Sequence, residues 1–137
     1  MIDKEESIIN NEAKFRMYTR VLEQWVAVKQ IGVAFSSWFE ENGFKRIAVY
    51  GMGKIGQLFI NELMDSGIEV YYGIDKNYTK NDIKLGKVKV NGIDEKWDDV
   101  DIVVVTAMAE FESIKCLLRE KVDCPIVSLE DIIYELY

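Results

Sequence analysis

Lys45-Arg46-Ile47-Ala48-Val49-Tyr50-Gly51-Met52-Gly53-Lys54-Ile55-Gly56, continued through Ser66-Gly67 to Ile68-Glu69-Val70-Tyr71-Tyr72-Gly73-Ile74-Asp75, is the stretch that decides the fold. Lys45–Tyr50 is a short, mostly apolar run with the composition of a buried strand, and it leads straight into Gly51. Ile55, Leu58, Phe59, Glu62 and Leu63 then recur at helical spacing, and Ser66-Gly67 is expected to end that helix. Ile68–Ile74 reads as a second strand that stops at Asp75. Strand, glycine turn, helix and strand within about thirty residues make the βαβ unit of a parallel sheet.

Moving toward the carboxyl end, Lys87–Val90 is read as a short strand and Asn91-Gly92 as a turn. Ile102-Val103-Val104-Val105-Thr106 has the uninterrupted apolar character of a strand covered on both faces. Phe111–Lys121 is helical, Pro125-Ile126-Val127 is a fifth strand, and Ser128 opens a last helix as its N-cap, with Glu130 and Asp131 in the first turn. Toward the amino end, Phe15, Tyr18, Leu22, Trp25 and Val28 suggest one apolar stripe on a helix. A second helical piece, Val33–Glu41, carries Phe35, Trp38 and Phe39 and is stopped by Asn42-Gly43. The expectation is an α/β fold: an open parallel sheet of about five strands in the order 3-2-1-4-5. Residues 1–43 would form an N-terminal helical extension packed on a nucleotide-binding domain at 44–137.

Gly51-Met52-Gly53-Lys54-Ile55-Gly56 matches G-x-G-x-x-G in the context that gives the pattern meaning, after a strand and opening a helix. Gly51 would allow the tight turn, Gly53 would let a pyrophosphate approach the backbone, and Gly56 would let the helix pack closely. The free N–H groups and dipole of the helix starting near Lys54 favour a negative ligand. Asp75, nineteen positions after Gly56, would accept from ribose hydroxyls, and its charge would repel a 2′-phosphate. That favours NAD(H) over NADP, a preference that the adjacent Lys76 weakens. Thr106 and Ala107 end the longest strand at the edge where ligands sit in open α/β sheets. The cofactor-binding set is therefore Gly51, Met52, Gly53, Lys54, Ile55, Gly56, Asp75, Lys76, Thr106 and Ala107. The plain structural alternatives are a tight turn that holds nothing, a turn carboxylate at Asp75 and a solvated lysine at Lys54.

The 137 residues carry a formal charge of −7 and no histidine. The negative charge disfavours nucleic acid as a partner. Without histidine, the commonest general base and metal ligand is missing, so catalytic residues are unassigned and no metal site is expected. Tyr72 and Lys76 fit Y-x-x-x-K, but a strand followed by a loop does not put residues four apart on one face as a helix would. Cys116 and Cys124 read as ordinary thiols. No export signal or membrane-spanning run is visible, so a cytoplasmic protein without a membrane partner is expected.

Ile47–Asp75 resembles the NAD(P)-binding Rossmann fingerprint. The longer run, Lys45 to Leu129, is similar to small nucleotide-binding domains of bacterial surface-polysaccharide biosynthesis, which occur beside sugar acyltransferases, glycosyltransferases and nucleotide-sugar enzymes. The resemblance implies phosphate-binding roles for Gly51, Gly53 and Gly56, a ribose-binding role for Asp75, and NAD, NADP or a nucleotide-sugar as ligand. There is no substrate domain and no helical Tyr-Lys pair here. The reading is thus an accessory or regulatory nucleotide-binding module, homodimeric through its N-terminal helices or attached to a larger biosynthetic partner. A small NAD-dependent oxidoreductase is the alternative, and an S-adenosylmethionine-binding methyltransferase fragment ranks third.

Overall fold

A computed structural model of the chain describes residues 4–76 and 88–137. Two helices come first, α1 (Lys4–Gln30) and α2 (Ser36–Glu41). Strand β1 (Arg46–Tyr50), helix α3 (Lys54–Leu63) and strand β2 (Glu69–Ile74) form the expected βαβ unit. The remainder is β3 (Val90–Asn91), β4 (Ile102–Val105), a 3-10 turn (Met108–Glu110), α4 (Phe111–Leu118), β5 (Ile126–Ser128) and α5 (Leu129–Glu135). All five strands are parallel and lie in the order β3-β2-β1-β4-β5. This is the sheet order of a Rossmann-like fold.

β4 shows why three consecutive valines were needed. Ile102 and Val104 pack into the apolar layer on one face of the sheet, and Val103 and Val105 into the layer on the other. The first layer is the larger. It takes Phe59, Ile60 and Leu63 from α3, Leu129, Ile132 and Ile133 from α5, and the buried residues of α1 and α2. The second is closed by Ile114 and Leu118 of α4, with Trp97 and Val100 from the loop before β4. Polar ties fix the helices laterally: Trp25 donates to Glu62 at 3.1 Å, Lys29 pairs with the same carboxylate at 2.7 Å, and the Trp38 indole donates to Glu135.

Three local expectations shift. On α1 the buried residues are Val21, Trp25 and Val28, whereas Phe15 and Leu22, placed in the same stripe from the sequence, are exposed. The body touches only part of that wide apolar arc. The helix α3 ends at Leu63, and the left-handed residue behind it is Asp65 (φ 61°), not Gly67. Ser66 stabilises that turn by donating to the Leu63 carbonyl at 2.6 Å and accepting from Ile68 N–H at 3.2 Å. Asn91 is a buried strand residue rather than part of a turn. Its backbone carbonyl accepts from Asp75 N–H at 3.1 Å, which draws it into the sheet. Lys87, where β3 was expected to start, lies outside the described residues.

Candidate functional site

The order of the sheet reverses between β1 and β4, so their carboxyl ends form the crevice in which ligands of open α/β sheets sit. Tyr50 is in register with Val105 there. The glycine loop leaves β1 at this point and Thr106-Ala107 leaves β4 beside it.

The three glycines turn out to be different. Gly51 has φ +96°, a conformation that side chains rarely adopt, and a Cβ on it would lie 2.6 Å from Thr106 Oγ1. A Cβ on Gly56 would lie 2.1 Å from the Gly51 carbonyl oxygen. Both positions are glycine because the protein itself leaves no room. Gly53 has an ordinary extended backbone (φ −75°, ψ −163°), and a Cβ there would meet no atom of the described residues within 4 Å. Packing and backbone conformation therefore do not require glycine at position 53.

Gly53 is the N-cap of α3 and supplies no side-chain acceptor to the first turn. At α5, by contrast, Ser128 Oγ accepts from Glu130 N–H at 3.3 Å. The amino end of α3 is thus an uncapped set of N–H donors with the positive end of a helix dipole behind it. Lys54 is exposed, Ile55 is half-buried against the larger apolar layer, and Met52 is buried with its side chain lying across the backbone of Gly73.

Asp75 sits just beyond β2 and is half-buried, and its Oδ2 accepts from Met52 N–H at 3.1 Å. This bond ties the loop to the end of β2. Burial and the Asp75 charge both push the Tyr50 phenol up. Lys76 is exposed at the described edge of the β2–β3 connection. Thr106 is buried and turned inward, and its hydroxyl lies 2.7 Å from the Gly51 carbonyl and 3.1 Å from that of Tyr50. Because Tyr50 O already accepts from Thr106 N–H at 2.9 Å, the hydroxyl proton is best used on Gly51. Thr106 is a clamp on the turn, and Ala107 lines it.

Asn91 was not singled out from the sequence. It ends β3 in register with Ile74 and next to Asp75, is only 4% exposed, and its Oδ1 has no hydrogen-bond partner among the described residues. No sequence signal marks this: a lone Asn-Gly reads as a turn until the strand pairing is known.

Next to Ala107 a cavity of about 540 Å³ opens between the carboxyl ends of β4 and β5. Met108 and Ser128 form part of its lining, and Glu110, Glu112, Glu130 and Asp131 give it an acidic wall. Tyr72 lies elsewhere. Its hydroxyl donates to the Asp98 carbonyl at 2.7 Å, and burial, helped by Cys124, Asp98 and Asp99, pushes the phenol up to about 12. The Tyr72/Lys76 pair is not assembled at the loop. Cys116 and Cys124 are free thiols, and no group of His, Cys, Asp or Glu among the described residues could hold a metal ion. No helix among the described residues is long and apolar enough to cross a membrane.

Comparison with known proteins gives no matching family model, no matching curated protein and no matching solved structure.

Proposed function

We propose that this protein binds a nucleotide of the NAD type, with its diphosphate over Gly53 and the amino end of α3 and a ribose at Asp75. Gly53 carries the reading. It is a glycine that neither φ nor packing requires, at the mouth of an uncapped helix, where a diphosphate drawn to the N–H groups would meet a side chain. Asp75 supports it, since the same carboxylate that fixes the loop also stands at the ribose position. The acidic wall of the neighbouring cavity disfavours a ligand ending in a further anion. It suits an uncharged or cationic group, such as an oxidised nicotinamide or the hydroxyls of a sugar.

The protein acts in this reading as an accessory or regulatory module that holds the nucleotide, in nucleotide-sugar or surface-polysaccharide metabolism as the resemblance implies. Tyr72, the phenol that a proton-transfer pair would use, is committed to Asp98 instead, so independent oxidoreductase activity has no support from that pair.

The test is thermal stabilisation of the full chain by NAD, NADH, NADP, S-adenosylmethionine, and UDP- and dTDP-sugars. A ligand at about 100 times its Kd adds roughly 2.7 kcal/mol to the free energy of unfolding. NAD or NADH should stabilise the wild type and not Gly53→Val. Indifference to the whole panel would sink the reading, as would a shift that Gly53→Val retains.

A further inference from the structure

Helix α1 carries a second apolar stripe. Ile8, Phe15, Leu22 and Val26 are 53, 72, 38 and 53% exposed, and at 3.6 residues per turn they fall within about 40° of one another on the helix surface. The stripe is turned about 120° round the helix from Val21, Trp25 and Val28, which face the body. Every described side chain from Lys4 to Arg16 is exposed, so the first half of α1 is an arm about 20 Å long with little packing from its own chain. A helix of that length is marginal in water by itself. An arm bearing Ile8 and Phe15 needs something to cover it.

We infer that the arm's partner is a second copy of this chain, bound through an antiparallel α1–α1 pairing. Charge argues for the copy and for the direction. The chain carries −7 overall, yet α1 holds five bases and four acids, so it is a segment on which two acidic molecules can meet without strong repulsion. Along α1 the charge changes sign near residue 13: before it Glu5, Glu6 and Glu12 stand against Lys4, and after it Lys14, Arg16, Arg20 and Lys29 stand against Glu23. An antiparallel pair sets the net-acidic segment against the net-basic one, whereas a parallel pair sets like against like. With the two-fold axis at Phe15, Ile8 of one arm meets Leu22 of the other. Glu12 then comes level with the turn between Arg16 and Arg20 of the copy. These three residues share one flank of the stripe, and like flanks meet in an antiparallel pair.

The area sets the strength. From Ile8 to Val26 the stripe runs about 27 Å, and a helix is about 10 Å wide, so the pair buries on the order of 500 Å² in total. Stable interfaces bury about 1,200–2,000 Å². The dimer is therefore reversible and dilutes apart, and its formation does not depend on a nucleotide.

Sedimentation velocity of the full chain from about 1 to 200 µM should show a dimer fraction that rises with concentration. Phe15→Glu should stay monomeric across that range and keep the thermal midpoint of the wild type, because Phe15 is 72% exposed and lies outside the core. In a background with Cys116 and Cys124 changed to Ser, Phe15→Cys should oxidise to a linked dimer. Ile8→Cys should not link to itself, since its two copies would stand about 20 Å apart, but should link to Leu22→Cys. A wild type that is monomeric throughout, a dimer that survives Phe15→Glu, or self-linking of Ile8→Cys would each overturn the proposal. A monomer that binds anionic phosphatidylserine vesicles through the stripe would overturn it in favour of a lipid surface.

Discussion

Alanine at each of the three loop glycines should separate what the fold needs from what a ligand needs. At Gly56 the new methyl would stand 2.1 Å from the Gly51 carbonyl oxygen, a backbone atom, so the turn and the helix must move apart. Overpacking of this kind costs about 1–3 kcal/mol. At Gly51 two penalties combine. The φ of +96° is strained for alanine, at about 1–2 kcal/mol, and the methyl would press on Thr106 Oγ1 at 2.6 Å. At Gly53 the backbone is extended and a Cβ would meet no described atom within 4 Å. Alanine there gains about 0.4–1 kcal/mol by restricting the unfolded chain and loses a similar amount as a poorer N-cap, which leaves a net change near zero. For a chain of this size 1 kcal/mol moves Tm by about 3–5 °C. Gly53→Ala should thus melt within about 2 °C of the wild type, while Gly51→Ala and Gly56→Ala fall by about 5–12 °C. The assay is a melt followed by circular dichroism, without ligand and then with saturating NAD. With NAD the wild type should rise by several degrees and Gly53→Ala should rise much less, although it is equally well folded. If Gly53→Ala is as unstable as Gly56→Ala without ligand, the steric argument fails. If it gains as much from NAD as the wild type does, glycine is not at position 53 for the ligand.

Three further outcomes can be measured on the same material. Asp75→Ala removes the acceptor of Met52 N–H, a hydrogen bond to a charged group worth about 1.5–3 kcal/mol when fully buried and less here. It should lower Tm modestly and, in ligand melts, narrow the preference for NAD over NADP. Thr106→Val keeps the shape but withdraws the hydroxyl from the half-buried Gly51 carbonyl, so urea unfolding should show a loss of about 1–3 kcal/mol. Asp101 accepts from the Arg46 and Lys45 N–H groups at 2.8 and 2.9 Å, and these bonds hold its carboxyl below the usual range. Its folded pKa lies under the unfolded value of about 3.9, so its contribution is complete above that pH and is lost as pH falls through the folded value. The gap in urea midpoint between the wild type and Asp101→Asn should be widest at neutral pH and close in acid.

Most of the architecture was legible because it rests on local signals that agree. β1, α3 and β2 could be placed from apolar runs broken by Gly51 and Asp75, and β4 from its unbroken valines. The sheet order follows once parallel strands and right-handed crossovers are assumed. What could not be read depends on tertiary pairing. Asn91-Gly92 is a turn by composition and a strand end by its register with Ile74. On α1 the periodicity marks a broad apolar arc, but which part of it is buried depends on where α3 and α5 stand. Phe15 and Trp25 look alike in the sequence, and only one of them reaches the core.

The glycine loop shows the same limit at the site itself. In sequence, Gly51, Gly53 and Gly56 are equal members of one pattern, and any of them could be there for a turn alone. Coordinates divide them by asking what a methyl group would touch. Two answers are protein atoms, Thr106 Oγ1 and the Gly51 carbonyl, so those glycines would be needed even if the loop bound nothing. The third answer is space that no described residue fills, at a helix end whose N-cap residue offers no side-chain acceptor. A pattern kept only for its turn would need glycine at 51 and 56 and would admit other residues at 53, where serine or aspartate would cap α3 more effectively. Glycine at 53 forgoes that cap. In the proposed function, an anion of the ligand takes the place of that cap.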